Sequence, residues 1–335
     1  MVRTLVERSQ QLQDVDNSKA MAFSQLGDQL FNELAARMAT RHQYRLLFEH
    51  QLRPELFQQI QNAAAGFISA CLNSPIILSE AEMIERLLGA RGTLPNHTGT
   101  GLLMPKREQS LEFNLFQKSV ANAFRQLGAN DLIDAVDLPV NLRMVYGKTD
   151  PEKLRLPFTS TKLHSDVWAG VHADATVVVL PLFGDIENIT IEAGEMPREM
   201  ELSAMRVMSD FDEGRDIPKV VSYSDAQLQH GTMYFNDARG LHQTVRRTSE
   251  GLRISVDFRF RRKFNEAYRA MVPPSIGGVE EDNCVPYEEW LQVGSDRLIV
   301  FDETMAQCRS KQGQGGPVPL YARGYRKVQL FDQPL

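Results

Sequence analysis

The chain has 335 residues with 42% apolar and 24% charged side chains, and its 37 Lys+Arg against 43 Asp+Glu give a net charge of −6. This composition is typical of a globular protein and excludes a disordered or collagen-like chain. The acidic balance provides no basic surface, so we expect no nucleic-acid partner. The most apolar stretches, 63–72 and 175–183, are shorter than the roughly 20 residues of a membrane-spanning helix, so we expect no membrane insertion.

The N-terminal sequence and the cysteines indicate the compartment. MVRTLVERSQQ lacks the apolar segment and the small-residue cleavage site of a signal peptide. Cys71, Cys284 and Cys308 are widely separated and form no CxxC motif, which favours free thiols over a disulfide framework. We therefore expect a cytoplasmic protein.

The N-terminal region, residues 1–136, has the periodicity of helices. Apolar residues recur at helical spacing through 18–88, and a loop rich in Gly, Thr and Asn follows at 89–101. A further helix is predicted over 111–127, with Gly128 suited to its end. Whether this region completes the core, forms a dimer interface or caps a site is left open, and so is oligomerisation.

The period changes after residue 136. Short β-rich segments separated by Gly, Asp and Pro, without helices between them, indicate an antiparallel sandwich or barrel. The segments are NLRMVYG (141–147), ATVVVLPLF (175–183), NITIEAG (188–194), KVVSYS (219–224), GTMYFN (231–236) and LRISVDFRFRR (252–262). The later residues are mixed, with a helix predicted at 287–292 and a loop at 313–319. We expect an α+β protein forming one compact unit over 1–335, with a β core at 137–263 and a C-terminal extension at 264–335.

Three side chains suggest a metal centre. His164 and Asp166 are two residues apart, which on a strand places an imidazole and a carboxylate on one face. His242 lies 242 − 166 = 76 residues after Asp166, enough chain for several strands to bring it back as a third ligand. Two imidazoles and one carboxylate leave adjacent positions open on an octahedral Fe(II). The plainer alternative is a buried hydrogen-bonded pair with a loop histidine, or zinc or nickel in the same ligands.

Arg253 follows His242 by 253 − 242 = 11 residues, in a strand that alternates strictly between apolar and polar residues. A guanidinium with a hydroxyl two residues later, at Ser255, suits a carboxylate such as the distal one of 2-oxoglutarate. The alternative is an ordinary surface charge and an ordinary strand serine.

HSDVW (164–168), His242 and LRIS (252–255) together resemble the HxD…H…RxS signature of the Fe(II)/2-oxoglutarate-dependent oxygenase superfamily. The resemblance covers about 140–263 and implies a double-stranded β-helix, the cupin-like jelly roll. It also implies Fe(II) as cofactor and 2-oxoglutarate and O2 as cosubstrates. The intact Asp166 indicates hydroxylation, since halogenating members carry a small residue there. A looser likeness to oxygenases of antibiotic and surface-carbohydrate gene clusters suggests a biosynthetic role.

Further residues are weaker predictions, each with a structural alternative. Asn141 and Arg143 share a strand face and are predicted to contact 2-oxoglutarate or substrate. The residues expected at the substrate or behind the metal ligands are Trp168, Thr161, His172 and Tyr234.

The acidic, Met-containing insertion at 185–216 is the sequence feature that bears on the substrate. It is either a lid over the site or a solvated loop. A lid of this kind favours a small polar metabolite: an amino acid, free or bound to a carrier protein, an aminocyclitol or a sugar. Two other classes stay open. One is a non-catalytic or differently metallated cupin-like binding protein; the other, with less support, is an oxygenase acting on macromolecules.

Overall fold

A computed structural model of the protein describes residues 2–98, 101–147, 157–214, 222–263, 266–271, 284–295, 297–301 and 325–329. The helices in these ranges are α1 Val2–Met38, α2 Pro54–Cys71, α3 Glu80–Gly89, α4 Ser110–Arg125, α5 Arg198–Ala204, α6 Glu266–Met271 and α7 Tyr287–Trp290. No helix of the described residues is long and apolar enough to cross a membrane.

The strands are β1 Arg41–Tyr44, β2 Leu47–Gln51, β3 Leu102–Leu103, β4 Ile133–Asp137, β5 Asn141–Tyr146, β6 Ala175–Gly184, β7 Ile189–Glu195, β8 Ser222–Ala226, β9 Thr232–Asp237, β10 Leu241–Arg246, β11 Leu252–Arg262, β12 Cys284–Pro286, β13 Arg297–Phe301 and β14 Tyr325–Gln329. Nine of them form one sheet, in the order β1-β2-β9-β6-β11-β4-β12, with β5 on β11 and β3 on β5. A second sheet has the order β10-β7-β8, and β13 pairs with β14. The strand pairs are antiparallel, so the predicted mixture of helices and antiparallel sheet is confirmed.

The alternation of β11 divides the protein into an apolar side and a polar side. Its apolar residues, among them Phe258 and Phe260, are buried against helix α4, where Phe124 meets both rings edge-on at 5.4 and 5.3 Å. Its polar residues face the second sheet: Arg253 Nη1 donates to the Ile189 carbonyl of β7 at 2.8 Å. The β11 side of the space between the two sheets is therefore lined by polar side chains.

The N-terminal region differs from the prediction at residues 41–51. This stretch was expected to be helical, but it forms the β1–β2 hairpin and extends the large sheet through β2–β9. Phe48 stacks on Phe235 of β9 with ring centroids 4.7 Å apart, and this long-range contact overrides the local helical preference. Helix α4 agrees with the prediction to within two residues: it ends at Arg125, and Gly128 takes the left-handed conformation (φ +81°) in the turn that follows.

Three predicted segments reach beyond the described residues. Residues 219–221 of the KVVSYS strand, 99–100 of the Gly-rich loop, and the loop at 313–319 lie outside them. The division into 1–136, 137–263 and 264–335 stays a prediction.

A buried ion network ties several elements to the turn between β9 and β10. Its members are Asp28, Arg45, Glu201, Asp237, Arg239 and Arg262. The fully buried Arg239 guanidinium lies 2.9 Å from Asp237, 3.0 Å from Glu201 of α5 and 3.3 Å from Asp28 of α1. The network thus connects both helices with the turn that leads into β10.

Asp237 is expected to make folding sensitive to acid. Burial acts to raise the pKa of Asp237, but the Arg239 and Arg262 guanidiniums lower it to about 2, below its ordinary 3.8. As the pH falls from about 4 to about 2, the unfolded chain binds a proton that the folded chain does not. The wild type therefore loses up to about 1.4 kcal/mol of unfolding free energy per pH unit from this carboxyl.

An Asp237→Asn variant lacks this titration, so its deficit relative to the wild type is expected to shrink as the pH falls below 4. Denaturant unfolding at several pH values measures this difference in unfolding free energy. Asp131→Asn is the control, because Asp131 belongs to an exposed ion pair. A deficit that stays constant with pH would contradict the prediction.

Candidate metal centre

His164, Asp166 and His242 meet between the two sheets. Each offers one ligand atom, and the three atoms lie within 4.8 Å of one another. His164 and Asp166 are buried, with exposed fractions of 6% and 5%. Among the residues that the structure describes, no other group of three or more His, Cys, Asp or Glu side chains meets this condition.

The two histidines are positioned by a direct backbone pairing. His164 N–H donates to the His242 carbonyl at 3.0 Å, and His242 N–H donates to the His164 carbonyl at 2.8 Å. His242 is on β10, with strands β6 to β9 intervening in the sequence between it and the HxD segment. These four strands therefore form the chain that brings His242 back to the HxD segment.

Asp166 reaches the site by a different local structure from the predicted strand. It begins a short 3-10 helix, Asp166–Ala169, which ends at Gly170 in the left-handed region (φ +94°). The turn is fixed at its start by Ser165, whose hydroxyl donates to the Ala238 carbonyl at 2.7 Å. The prediction that one strand face presents both ligands was therefore wrong, although the two side chains do converge.

The environment of His164 keeps its Nε2 lone pair for a ligand. Its Nδ1 lies 2.7 Å from the Lys162 carbonyl, which accepts the ring proton and so directs Nε2 toward the other two residues. Burial, together with the neighbouring His242, lowers the pKa of His164 to about 3. His164 is therefore a neutral imidazole at neutral pH, the form that binds metals.

Asp166 combines an ionised carboxylate with an unsatisfied oxygen. Burial acts to raise the pKa of Asp166, but Arg259 and the two imidazoles lower it to about 2. Oδ1 accepts from Arg259 at 3.0 Å, while Oδ2 is buried without a hydrogen bond, 3.6 Å from Nε2 of His242. An orphaned carboxylate oxygen beside two imidazole nitrogens fits a divalent cation, and the N,N,O set without a thiolate fits Fe(II).

Part of the 185–216 insertion covers this centre. The insertion is not a continuous loop, because it contains β7, α5 and a 3-10 helix. Phe211 stacks on His164 with ring centroids 4.2 Å apart, and Lys162 Nζ lies 2.7 Å from Asp210 and 2.8 Å from Asp212. Residues 215–216 lie outside the described residues. The described segment therefore packs directly on a predicted ligand.

Arg253 and Ser255 lie on the inner face of β11 and are almost fully buried, with exposed fractions of 2% and 1%. Arg253 Nε and Ser255 Oγ have no hydrogen-bond partner. Burial, with the positive charges of Arg143 and Arg246, lowers the pKa of Arg253 to about 9. A buried cation with unused donors is suited to receive an anionic group.

Asn141 and Arg143 lie on the same face as Ser255, as the register of β5 against β11 shows. Arg143 is opposite Ser255 and forms an ion pair with Asp257. These two residues therefore line the same interior as Arg253.

The four remaining predicted residues, Trp168, Tyr234, Thr161 and His172, each have a different environment. Trp168 is buried and donates Nε1–H to the Ala204 carbonyl at 2.9 Å, so it anchors the covering segment. Tyr234 OH donates to the Gln227 carbonyl at 2.9 Å. Thr161 Oγ1 lies 3.0 Å from Thr159 Oγ1, and His172 belongs to the turn before β6, outside the three-residue centre.

Two further residues lie beside the ligands: Arg259, which was not predicted in this role, and Asn236, which the sequence places near His242 as a hydrogen-bonding candidate. Arg259 binds Asp166, and its place in the polar row of β11 was the only signal in the sequence. Asn236 Nδ2 lies 3.3 Å from His242 Nδ1, on the strand that precedes the turn into β10.

A cavity of about 380 Å³, its open side included, lies between the sheets next to His242. Its walls are largely aliphatic. The lining residues are Leu47, Val177, Val179, Ile191, Ala193, Leu228, Tyr234, Asn236 and His242.

Comparisons with known proteins gave matches among solved structures only. The sequence matches no protein-family model, and no curated protein is significantly similar to it. The epimerase SnoN in complex with Fe3+, alpha ketoglutarate and nogalamycin RO is 16% identical, covering 76% of this chain and 94% of that one, with a TM-score of 0.39. The carbocyclase SnoK, a non-heme alpha ketoglutarate-dependent enzyme from nogalamycin biosynthesis, is 11% identical (74% and 92% covered, TM-score 0.35).

A third similar structure is EctD from S. alaskensis with 2-oxoglutarate and 5-hydroxyectoine, at 12% identity (69% and 75% covered, TM-score 0.33). The similar structures thus include one that contains Fe3+ and alpha ketoglutarate and one that contains 2-oxoglutarate.

Proposed function

We propose that the protein is a non-haem Fe(II)- and 2-oxoglutarate-dependent oxygenase that hydroxylates an unactivated C–H bond of a small metabolite. The observation that carries the proposal is the buried His164–Asp166–His242 centre, with an orphaned carboxylate oxygen, in the same interior as Arg253 and its unused donors.

The strand order supports a double-stranded β-helix as the core. In the large sheet, β5, β11, β6 and β9 are neighbours in that order. Facing them is the sheet β10-β7-β8, which His164 extends on the β10 side by its pairing with His242. Two facing antiparallel sheets that enclose one interior support the proposal of the jelly roll that the HxD…H…RxS motif implies.

The proposed roles of the residues follow from their surroundings. His164, Asp166 and His242 would hold Fe(II), which together with 2-oxoglutarate and O2 supplies the oxidation of the C–H bond when bound. Lys162 holds the ring of His164 in the binding tautomer through its carbonyl, and Arg259 orients Asp166. Arg253 and Ser255 would bind the distal carboxylate, and Phe211 covers His164 and excludes water.

The proposed substrate is a small polar metabolite that places an aliphatic carbon in the cavity beside His242. Amino acids, free or bound to a carrier protein, aminocyclitols and sugars all have such carbons. The aliphatic walls supply contact area without competing hydrogen bonds.

An anaerobic titration tests the proposal. Adding Fe(II) and then 2-oxoglutarate is expected to produce a weak visible charge-transfer band in the wild type. His164→Ala is expected to abolish iron binding, whereas Arg253→Ala is expected to retain iron and need about 10- to 100-fold more 2-oxoglutarate, the value of a charged hydrogen bond. His230→Ala, at an exposed histidine, is the matched control.

Iron binding with no response to 2-oxoglutarate would overturn the proposal in favour of a differently metallated, cupin-like binding protein. Failure to bind iron would favour a non-catalytic cupin-like binding protein.

A further inference from the structure

Strand β10 carries a second arginine on the face that presents His242. Residues two apart on a strand share a face, so His242 and Arg246 point to the same side of β10. Four residues of strand separate their Cα atoms by roughly 13 Å. Arg246 therefore lies at the opposite end of the interior from the metal centre, on the strand that supplies one of its ligands.

Backbone contacts place Arg246 beside Arg253. Arg246 is paired with Ile189 in the β10–β7 register, and the Ile189 carbonyl accepts from Arg253 Nη1 at 2.8 Å. Arg246 Nε donates to the Tyr146 carbonyl at 2.8 Å, and Tyr146 follows Val145, the partner of Arg253 on β5. Both side chains are thus fixed to neighbouring points where the two sheets meet.

At this end of the interior, the part of the chain that the structure describes places three arginines beside one aspartate. Arg143, Arg246 and Arg253 lie there, and Asp257 forms its ion pair with Arg143. Arg246 Nη1 and Arg253 Nε are buried donors without a hydrogen-bond partner. Burial lowers the pKa of Arg246, and the nearby Arg91 adds to the effect. Arg246 as a whole is half-buried and Arg253 is buried, and buried donors that lack a partner destabilise a protein unless a ligand satisfies them.

We propose that Arg246 is a second carboxylate-binding arginine, which together with Arg253 grips the distal carboxylate of 2-oxoglutarate from the β10 side. This inference rests on the proposed function and deepens it. Two guanidiniums with one unused donor each match the two oxygens of one carboxylate. Arg246 is thereby a determinant of cosubstrate choice, because it favours a 2-oxo acid that ends in a carboxylate.

The test compares two ligands that differ in the distal group. Iron-loaded protein is titrated anaerobically by calorimetry with 2-oxoglutarate and with 2-oxopentanoate, which has the same carbon chain without the second carboxylate. Arg246→Gln is expected to weaken 2-oxoglutarate binding about 10- to 100-fold and to leave 2-oxopentanoate and iron binding unchanged. Arg247→Gln is the matched control, since this adjacent arginine is exposed.

Arg246→Lys keeps the charge but not the planar fork, and is the second variant should Arg246→Gln fail to fold. It is expected to weaken 2-oxoglutarate binding several-fold. Unchanged 2-oxoglutarate affinity in the variants, or an equal loss for both ligands, overturns the inference while the proposed function stands. A wild type that binds iron but neither 2-oxo acid overturns both.

Discussion

Replacing Asp166 by alanine is expected to abolish stoichiometric Fe(II) binding and to reduce 2-oxoglutarate turnover on the order of 10³-fold or more. The variant removes the only carboxylate of the centre. It also leaves Arg259 without the oxygen that it now contacts at 3.0 Å, so a cation without that partner would face the two imidazoles. Both changes disfavour a divalent cation, the first by loss of a ligand and the second by repulsion.

Iron content after anaerobic reconstitution and succinate release measure the two effects separately. Asp131→Ala, at a carboxylate with a side-chain exposure of 62%, is the control and is expected to behave as the wild type. An Asp166→Ala protein that retains one iron per chain and full turnover would show that the carboxylate is not a ligand.

The sequence identified the site residues better than it identified the backbone that holds them. His164, Asp166 and His242 were found by residue type and spacing, which depend on the chemistry of the ligands. The 3-10 turn at Asp166 could not be predicted, because it is held by Ser165 bonding to Ala238, a residue 73 positions away in the sequence. Contacts at such separations leave no local pattern.

Long-range contacts also decide which strands could be predicted from the sequence. Strand β11 was recognised because every second residue is apolar over its whole length, and both of its faces are used. The β1–β2 hairpin was missed, since its Leu, Gln and Glu residues also suit a helix and only the pairing with β9 decides between them. The sequence also offers no reason to single out Arg246 among the neighbouring arginines, because it does not show that Arg246 is half-buried and Arg247 exposed.

The buried ion network is expected to be the feature outside the metal centre on which stability most depends. Arg239→Met is expected to reduce the unfolding free energy by about 3–5 kcal/mol, because it leaves Asp237 and Glu201 buried with fewer partners. The space around the guanidinium is also closed: a Cβ on Gly27 of α1 would lie 2.5 Å from Nη1 of Arg239. The helix therefore approaches this arginine as closely as its backbone allows.

Denaturant unfolding of the metal-free protein measures the effect. Arg37→Met is the matched control, because its ion pair with Asp131 is exposed on both sides and is worth about 0–1 kcal/mol. Arg239 is three residues before His242, and its loss is also expected to weaken iron binding about 10-fold by loosening the turn into β10. An Arg239→Met loss no larger than that of Arg37→Met would mean that the apolar contacts of α1 and α5, and not the ion network, fix this turn.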